Sequence, residues 1–177
     1  MGSERWRRYT VWIKLLGGGM ILFSAPLLGQ LWARRLSVRE KSLRGFLNAF
    51  SMLESEISFS GKRLSDAFLR IGRICGMQIF SDTAKSIPEN GFSKSWETAL
   101  SSYQKTLCLT GEDLEILMIL SEQLGKSDRD NQIRHLHHVS TLTQNQLRNA
   151  ADQKKTLSGL YRGMGVLCGF FLMLMLL

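Results

Sequence analysis

Three histidines, His135, His137 and His138, are the side chains here best suited by type to hold a metal ion. On a helix His135 and His138 share a face and His137 points elsewhere. No cysteine pair or second histidine cluster completes a tetrahedral set, so a solvated helix face is the simpler reading. The acid groups Glu54/Glu56, Glu112/Asp113/Glu115 and Asp128/Asp130 could do acid–base chemistry. The last two groups sit at expected helix starts, where carboxylates meet the positive dipole end. Glu54 and Glu56 are two apart and occupy different helix faces. Capping or solvated roles suit all three groups better than catalysis. Cys75, Cys108 and Cys168 form no CxxC pair and read as small buried hydrophobes. Gly17-Gly18-Gly19 is followed by no Lys-Ser/Thr and lies inside an apolar run, so it is no phosphate loop. No serine sits in GxSxG. The chain reads as a non-enzyme, and no cofactor or metal is expected.

The elements around these residues begin and end apolar. The run 15–33 (LLGGGMILFSAPLLGQLWA) is uncharged, bounded by Lys14 and by Arg34-Arg35, with Trp12 and Trp32 near its ends. It is long enough to cross a bilayer and carries interfacial anchors. A signal peptide would have a shorter apolar region and a small-residue cleavage site. The second run, 163–177 (GMGVLCGFFLMLMLL), is shorter but has no polar face at its end. It is expected to be a second membrane segment. Ala25, Gly29 and Ala33, and likewise Gly165 and Gly169, have the four-residue spacing of small residues that lets membrane helices pack closely. Pro26 marks a bend that a membrane helix tolerates.

Charge supports this division. Of the net charge of +8, residues 1–35 hold six basic residues against Glu4 alone. The remaining +3 is dispersed, and the aromatics are not interleaved with Lys/Arg, which argues against nucleic-acid binding. Four Lys/Arg precede the first apolar run, and eight flank the two runs on the inner side. The positive-inside rule then puts residues 34–162 in the cytoplasm and both termini outside.

Residues 36–162 show helical spacing throughout. Phe46, Phe50, Leu53 and Ile57 form one stripe, Leu64, Phe68, Ile71 and Cys75 a second beyond Gly61, and Trp96, Leu100, Tyr103 and Leu107 a third. Pro, Asn and Gly predict a loop over 86–95 (SIPENGFSKS). Thr110 followed by Glu112 and Asp113 reads as a capped helix start, and Leu114, Leu117, Met118, Ser121 and Leu124 follow it. Gly125 can close that helix, and Ser127 can cap the next, with Asp128 and Asp130 in its first turn. Leu124-Gly125-Lys126-Ser127-Asp128 is thus a tight helix–helix corner. Ile133, Leu136, Ser140, Thr143, Leu147, Ala150, Lys154, Leu157 and Tyr161 then form a heptad-like seam. This seam predicts a long last helix that runs straight into the apolar end. The fold class is all-α: a helical bundle flanked by N- and C-terminal transmembrane helices. The organisation is a basic tail (1–14), a membrane helix (15–33), a helical domain (34–162) and an apolar end (163–177).

Several of these residues, in order, resemble the stage III sporulation protein AB family of endospore-forming bacteria. Gly18 and Gly29 in an apolar start precede basic residues. Leu53-Glu54-Ser55-Glu56-Ile57 is similar to L-E-x-E-I, and Trp96-Glu97-Thr98-Ala99-Leu100 to W-x-x-A-L. Leu124-Gly125-Lys126-Ser127-Asp128 with Gln132 is similar to L-G-x-S-D-x-x-x-Q. Tyr161 with Gly165 and Gly169 matches the pattern before the apolar end. One departure is Arg63-Leu64, where the family carries Pro-Leu. The resemblance implies a mother-cell membrane protein around the forespore. It also implies an all-helical soluble part, similar in layout to the type II secretion inner-membrane platform, and a place in a trans-envelope channel complex needed for spore development. The implied partners are other stage III channel proteins, including the AA ATPase, together with membrane lipid. Homo-oligomerisation stays open. Glu54, Glu56, Leu124, Gly125, Ser127, Asp128 and Gln132 are the candidate contact or structural positions. A membrane-anchored helical adaptor or sensor outside any channel is the alternative.

Overall fold

A computed structural model describes residues 34–59 and 63–176, with side chains as far as Leu157. Residues 15–33, including Ala25, Gly29 and Ala33, lie outside the described residues. Five helices are described: α1 over residues 34–59, α2 Leu64–Cys75, α3 Gln78–Tyr103, α4 Gly111–Gln123 and α5 Arg129–Leu176. Among the described residues there is no strand. Residues 36–152 form one unit with its own core, and 153–176 fall in a separate unit. The 48 residues of α5 are helical throughout, and the stretch holding Gly165 and Gly169 is described only as backbone. Among the described residues no helix is long and apolar enough to cross a membrane.

The stripes read from the sequence become the core. Leu43, Phe46, Ala49, Phe50 and Leu53 of α1 are buried at steps of three and four. On α2 Ala67, Phe68, Ile71 and Gly72 are buried, and Gly76 ends the helix at φ 65°. On α5 Leu136, Val139, Leu147 and Ala150 are buried. The polar seam residue Thr143 is buried too, and its hydroxyl donates to the Val139 carbonyl at 2.8 Å. That back-bond is how a hydroxyl sits in the seam at little cost.

One expectation is corrected. Residues 86–95 are not a loop but part of α3, which runs from Gln78 to Tyr103 and is broken only at Gly91 (φ 73°, ψ 168°). The first half carries Ile79, Phe80, Thr83 and Ala84, all buried. Burial of that face outweighs the weak local propensity around Pro88. At Gly91 the chain folds back. Tyr103 Oη donates to Asp82 Oδ2 at 2.6 Å, although 21 residues separate them. A straight helix would hold the two about 30 Å apart. The third stripe is also shorter than expected. Leu107 and Cys108 lie in the turn after α3, and Cys108 adopts φ 54°.

Trp96 occupies the centre of this unit. Its ring lies 6.2 Å from Phe46, 5.8 Å from Phe68 and 5.5 Å from Phe80, so α1, α2 and both halves of α3 meet on one indole. Its Nε1–H donates to the Leu117 carbonyl of α4 at 2.8 Å, which gives the buried donor a partner. Gly72 lets α2 approach α3 closely, since a Cβ there would lie 2.8 Å from the Ser81 backbone nitrogen.

A buried ion pair ties α1 to α4. Arg39 Nε and Nη2 donate to Asp113 Oδ2 and Oδ1 at 2.7 and 2.9 Å, with the residues 5% and 1% exposed. Arg39 Nη2 also donates to Gln146 Oε1 of α5 at 3.0 Å. Asp113 forms the capping box of α4 as well, accepting from the Thr110 amide at 2.9 Å. In the sequence Arg39 is one of the basic residues beside the first apolar run and Asp113 an acid at a helix start, and nothing local pairs them.

Two predictions follow from this packing. Arg39→Ala leaves a buried carboxylate uncompensated and should cost roughly 3–5 kcal/mol in urea denaturation. The second concerns acid. The Tyr103 hydroxyl, and then Lys85, hold the Asp82 carboxyl below the usual carboxylate range. That contribution is present above the unfolded value of about 3.9 and is lost as pH falls through the lower folded value. Tyr103→Phe should therefore raise the Asp82 pKa in a carboxyl-carbon NMR titration; an unchanged value would refute the assignment.

Candidate functional site

The corner between α4 and α5 is built by backbone groups and one glutamine. Leu124 is buried, and its amide donates to the Leu120 carbonyl at 3.4 Å. Gly125 follows at φ 79°, which L side chains rarely adopt. Gln132, one turn into α5, reaches back over the corner. Its Oε1 accepts from the Gly125 amide at 3.3 Å, and its Nε2 donates to the Ser127 carbonyl at 2.6 Å. The glutamine thus clamps two peptide groups of the loop that precedes its own helix.

Ser127 does not cap α5 as expected. Its hydroxyl donates backward to the Gln123 carbonyl at 3.2 Å and so serves the end of α4. Asp128 precedes the first residue of α5, and its carbonyl accepts from the Gln132 amide at 3.0 Å. Its carboxylate accepts from the Asn131 side-chain amide. The different roles follow from geometry, because the Ser127 side chain lies one residue too early to reach the first-turn amides.

The two acids of the first motif separate. Glu56 pairs with Arg70 of α2 at 2.6 Å and its side chain is 13% exposed. Glu54 pairs with His137 of α5 at 3.0 Å. Both acids therefore hold neighbouring helices, a use that the expected solvated role omits. His135, expected on a solvated face, is half-buried with Nε2 2.7 Å from the Ile119 carbonyl, while His138 is exposed.

Glu56 and the corner converge on one open cleft of about 370 Å³. Ile57, Leu64 and Ala67 supply its apolar lining, and Glu56, Arg129 and Gln132 supply its polar groups, with Gly125 at the edge. Gly125 lacks the Cβ that would come 3.5 Å from Leu64 Cδ2. Arg129 is exposed and donates to the Ser58 carbonyl at 3.1 Å, linking the start of α5 to the end of α1. Glu54, Leu124, Ser127 and Asp128 do not line the cleft. They position the elements that do.

The cleft's carboxylate is neutralised by Arg70, and no histidine, cysteine or serine lines the cleft. Among the described residues no group of three His, Cys, Asp or Glu could hold a metal ion. A half-apolar floor with one guanidinium and one amide suits a protein surface. Leu64 is marked in the sequence only as a member of a helical stripe, and Ala67 and Arg129 carry no local mark, since α2 joins the cleft only through the packing of the bundle.

The corner generates its own test. Gly125→Ala forces a Cβ into the left-handed region and should cost about 1–2 kcal/mol by thermal denaturation. Gln132→Ala should destabilise by about 1 kcal/mol through two lost hydrogen bonds. If neither variant shifts the melting temperature, the clamp does not hold the corner.

Comparison with known proteins places this geometry. The family model described as Stage III sporulation protein AB (spore_III_AB) matches residues 14–177. A solved structure of Stage III sporulation protein AB (SpoIIIAB) is similar, with TM-score 0.63 and 23% identity, covering 67% of this chain and 98% of that one. At that identity the likeness shows the fold. No curated protein matches the chain. Arg63, which stands where the resembled family carries proline, holds φ −63°. That is the angle proline imposes, so the departure leaves the turn into α2 intact.

Proposed function

The chain belongs to the stage III sporulation protein AB family, and from that premise we propose that it is a non-enzymatic membrane platform of the sporulation trans-envelope channel complex. In this reading segments 15–33 and 163–177 anchor it in the mother-cell membrane around the forespore. The helical unit faces the cytoplasm, and its cleft docks the complex's cytoplasmic ATPase, the stage III AA protein. Fellow channel proteins are the other partners.

One observation carries the docking site. Two motifs about 70 residues apart, Glu56 with Ile57 and Gly125 with Gln132, line the same cleft. Their companions Glu54, Leu124 and Ser127 fasten the helices and the corner that carry it. Apolar surface edged by a guanidinium and an amide fits the chemistry of a protein contact. The surplus of Lys/Arg flanking the apolar runs on the inner side supports the cytoplasmic placement.

Two measurements test this. The full chain in detergent should bind the AA ATPase in a pull-down and by interferometry. Arg129→Glu reverses an exposed charge in the cleft and should weaken that affinity at least tenfold, about 1.4 kcal/mol. Unchanged binding would remove the cleft from the interface. For sidedness, Glu89→Cys lies at an exposed position of α3 and goes into a background lacking the native cysteines. It should resist a membrane-impermeant thiol reagent in intact cells and react after lysis. Labelling in intact cells would rule out contact with a cytoplasmic ATPase.

A further inference from the structure

Among the described residues two large hydrophobic side chains stand exposed, Phe59 at 89% and Ile74 at 59%. They are not scattered. Phe59 lies three residues beyond Glu56 on α1, and Ile74 four residues beyond Arg70 on α2, which on a helix is one turn along the same side. Glu56 and Arg70 are the two halves of one ion pair. α1 and α2 run antiparallel, since Arg70 meets Glu56 while Cys75 Sγ meets Met52 Sδ at 3.6 Å. The two hydrophobic residues therefore flank that ion pair, one on each side along the seam between α1 and α2. Single exposed hydrophobics need no explanation, but two that share one seam point to a contact surface.

The charges around the seam give the partner its sign. Asp66, Arg70, Arg73 and Ile74 are exposed and fall within about 100° of the circumference of α2, with Arg63 exposed at the start of the same face. Glu56 is already taken by Arg70, which leaves Asp66 as the one acid on this face of α2. Arg63 and Arg73 meet no acid among the described residues. Arg129, in the adjoining cleft, spends one N–H on the Ser58 carbonyl and meets no acid either. Guanidinium forks left without acids are complementary to carboxylates, which they can bind through two parallel hydrogen bonds.

The position of the seam favours a protein. α1 and α5 are antiparallel, with Arg39 against Gln146 at one end and Ser58 against Arg129 at the other. Leu36 and Asp152, the two ends of this unit, therefore lie at the Arg39 end, and Glu56 stands about 30 Å along α1 from Leu36. The chain enters and leaves the unit at the end away from the seam, so a protein suits the seam better than the lipid around segments 15–33 and 163–177. We propose that the α1–α2 seam is the outer half of the docking cleft and takes a surface of the ATPase on which carboxylates surround an apolar patch. Phe59 and Ile74 enter that patch, and Arg63, Arg73 and Arg129 meet the carboxylates. The proposal rests on the docking reading above and adds the chemistry of the occupant.

Interferometry with the full chain in detergent and the AA ATPase, at low and at high salt, tests it. Wild-type association should be fast at low salt and slow down as salt screens the arginines. Phe59→Ser removes an anchor and should speed dissociation about tenfold with little change in association. Arg73→Glu should slow association about tenfold at low salt and much less at high salt. Asp66→Asn reads the sign. It should speed association about twofold against an acidic partner and slow it against a basic one. All three positions are exposed, and thermal denaturation checks that the variants keep the fold. No binding by the wild-type chain would remove the docking reading and this proposal together. Wild-type binding that all three variants leave alone would remove the seam and leave the cleft. Association slowed by Asp66→Asn would overturn the acidic partner. If Phe59→Ser and Arg73→Glu instead cut flotation with phosphatidylglycerol vesicles, or self-association in sedimentation, while ATPase binding stays unchanged, the occupant is lipid or a second copy and the proposal falls.

Discussion

The bundle depends on a charge pair that has left water. Arg39 and Asp113 are both buried, and two ions taken into a protein interior are costly unless each polar atom is satisfied. Here both Asp113 oxygens receive Arg39, one of them also holds the Thr110 amide, and Arg39 has a further acceptor in Gln146. The carboxylate can hold the guanidinium only if α4 starts at Gly111 and α1 presents residue 39 at that height. Greasy stripes alone tolerate a helix sliding by part of a turn. A bidentate ion pair does not, because a small shift strands a buried charge. The pair thus fixes the register of α1 against α4, and through Gln146 that of α5.

Around that constraint the apolar core is arranged on Trp96. The indole both fills volume and places a hydrogen bond on α4. Its phenylalanine neighbours come from three helices, so the aromatic cluster fastens α1, α2 and α3 at one point. The fold-back at Gly91 makes this packing feasible. It lets Phe80 and Phe92, from opposite halves of α3, reach the same ring. The same fold-back takes the Gly91 carbonyl out of the helical path and leaves the buried Ser95 hydroxyl without its ordinary partner.

The corner at Gly125 shows how a motif can be read correctly as a place and less well as a mechanism. Glycine at the turn and a leucine buried beside it agree with the sequence. Ser127 does different work from the expected cap, since it closes the helix behind it, and Gln132, a candidate contact or structural position, clamps the loop that precedes its helix. The acids Glu54 and Glu56 were legible as a motif. Their partners were not, because His137 and Arg70 are brought to them by two other helices.

The sequence by itself determined the all-helical class, the faces that enter the core on α1, α2 and α5, the Thr110 cap, the corner, the unbroken last helix and the family. Each of these rests on period or on neighbouring residues, which local physical chemistry can judge. The tertiary structure alone decided the helix over residues 78–90, the Arg39–Asp113 pair and the joining of Glu56 to Gln132. These rest on burial and on contacts between distant residues. Burial outweighs the local signals of Pro88 and Asn90. An arginine at 39 carries no mark of the aspartate at 113 until helix packing takes both out of water.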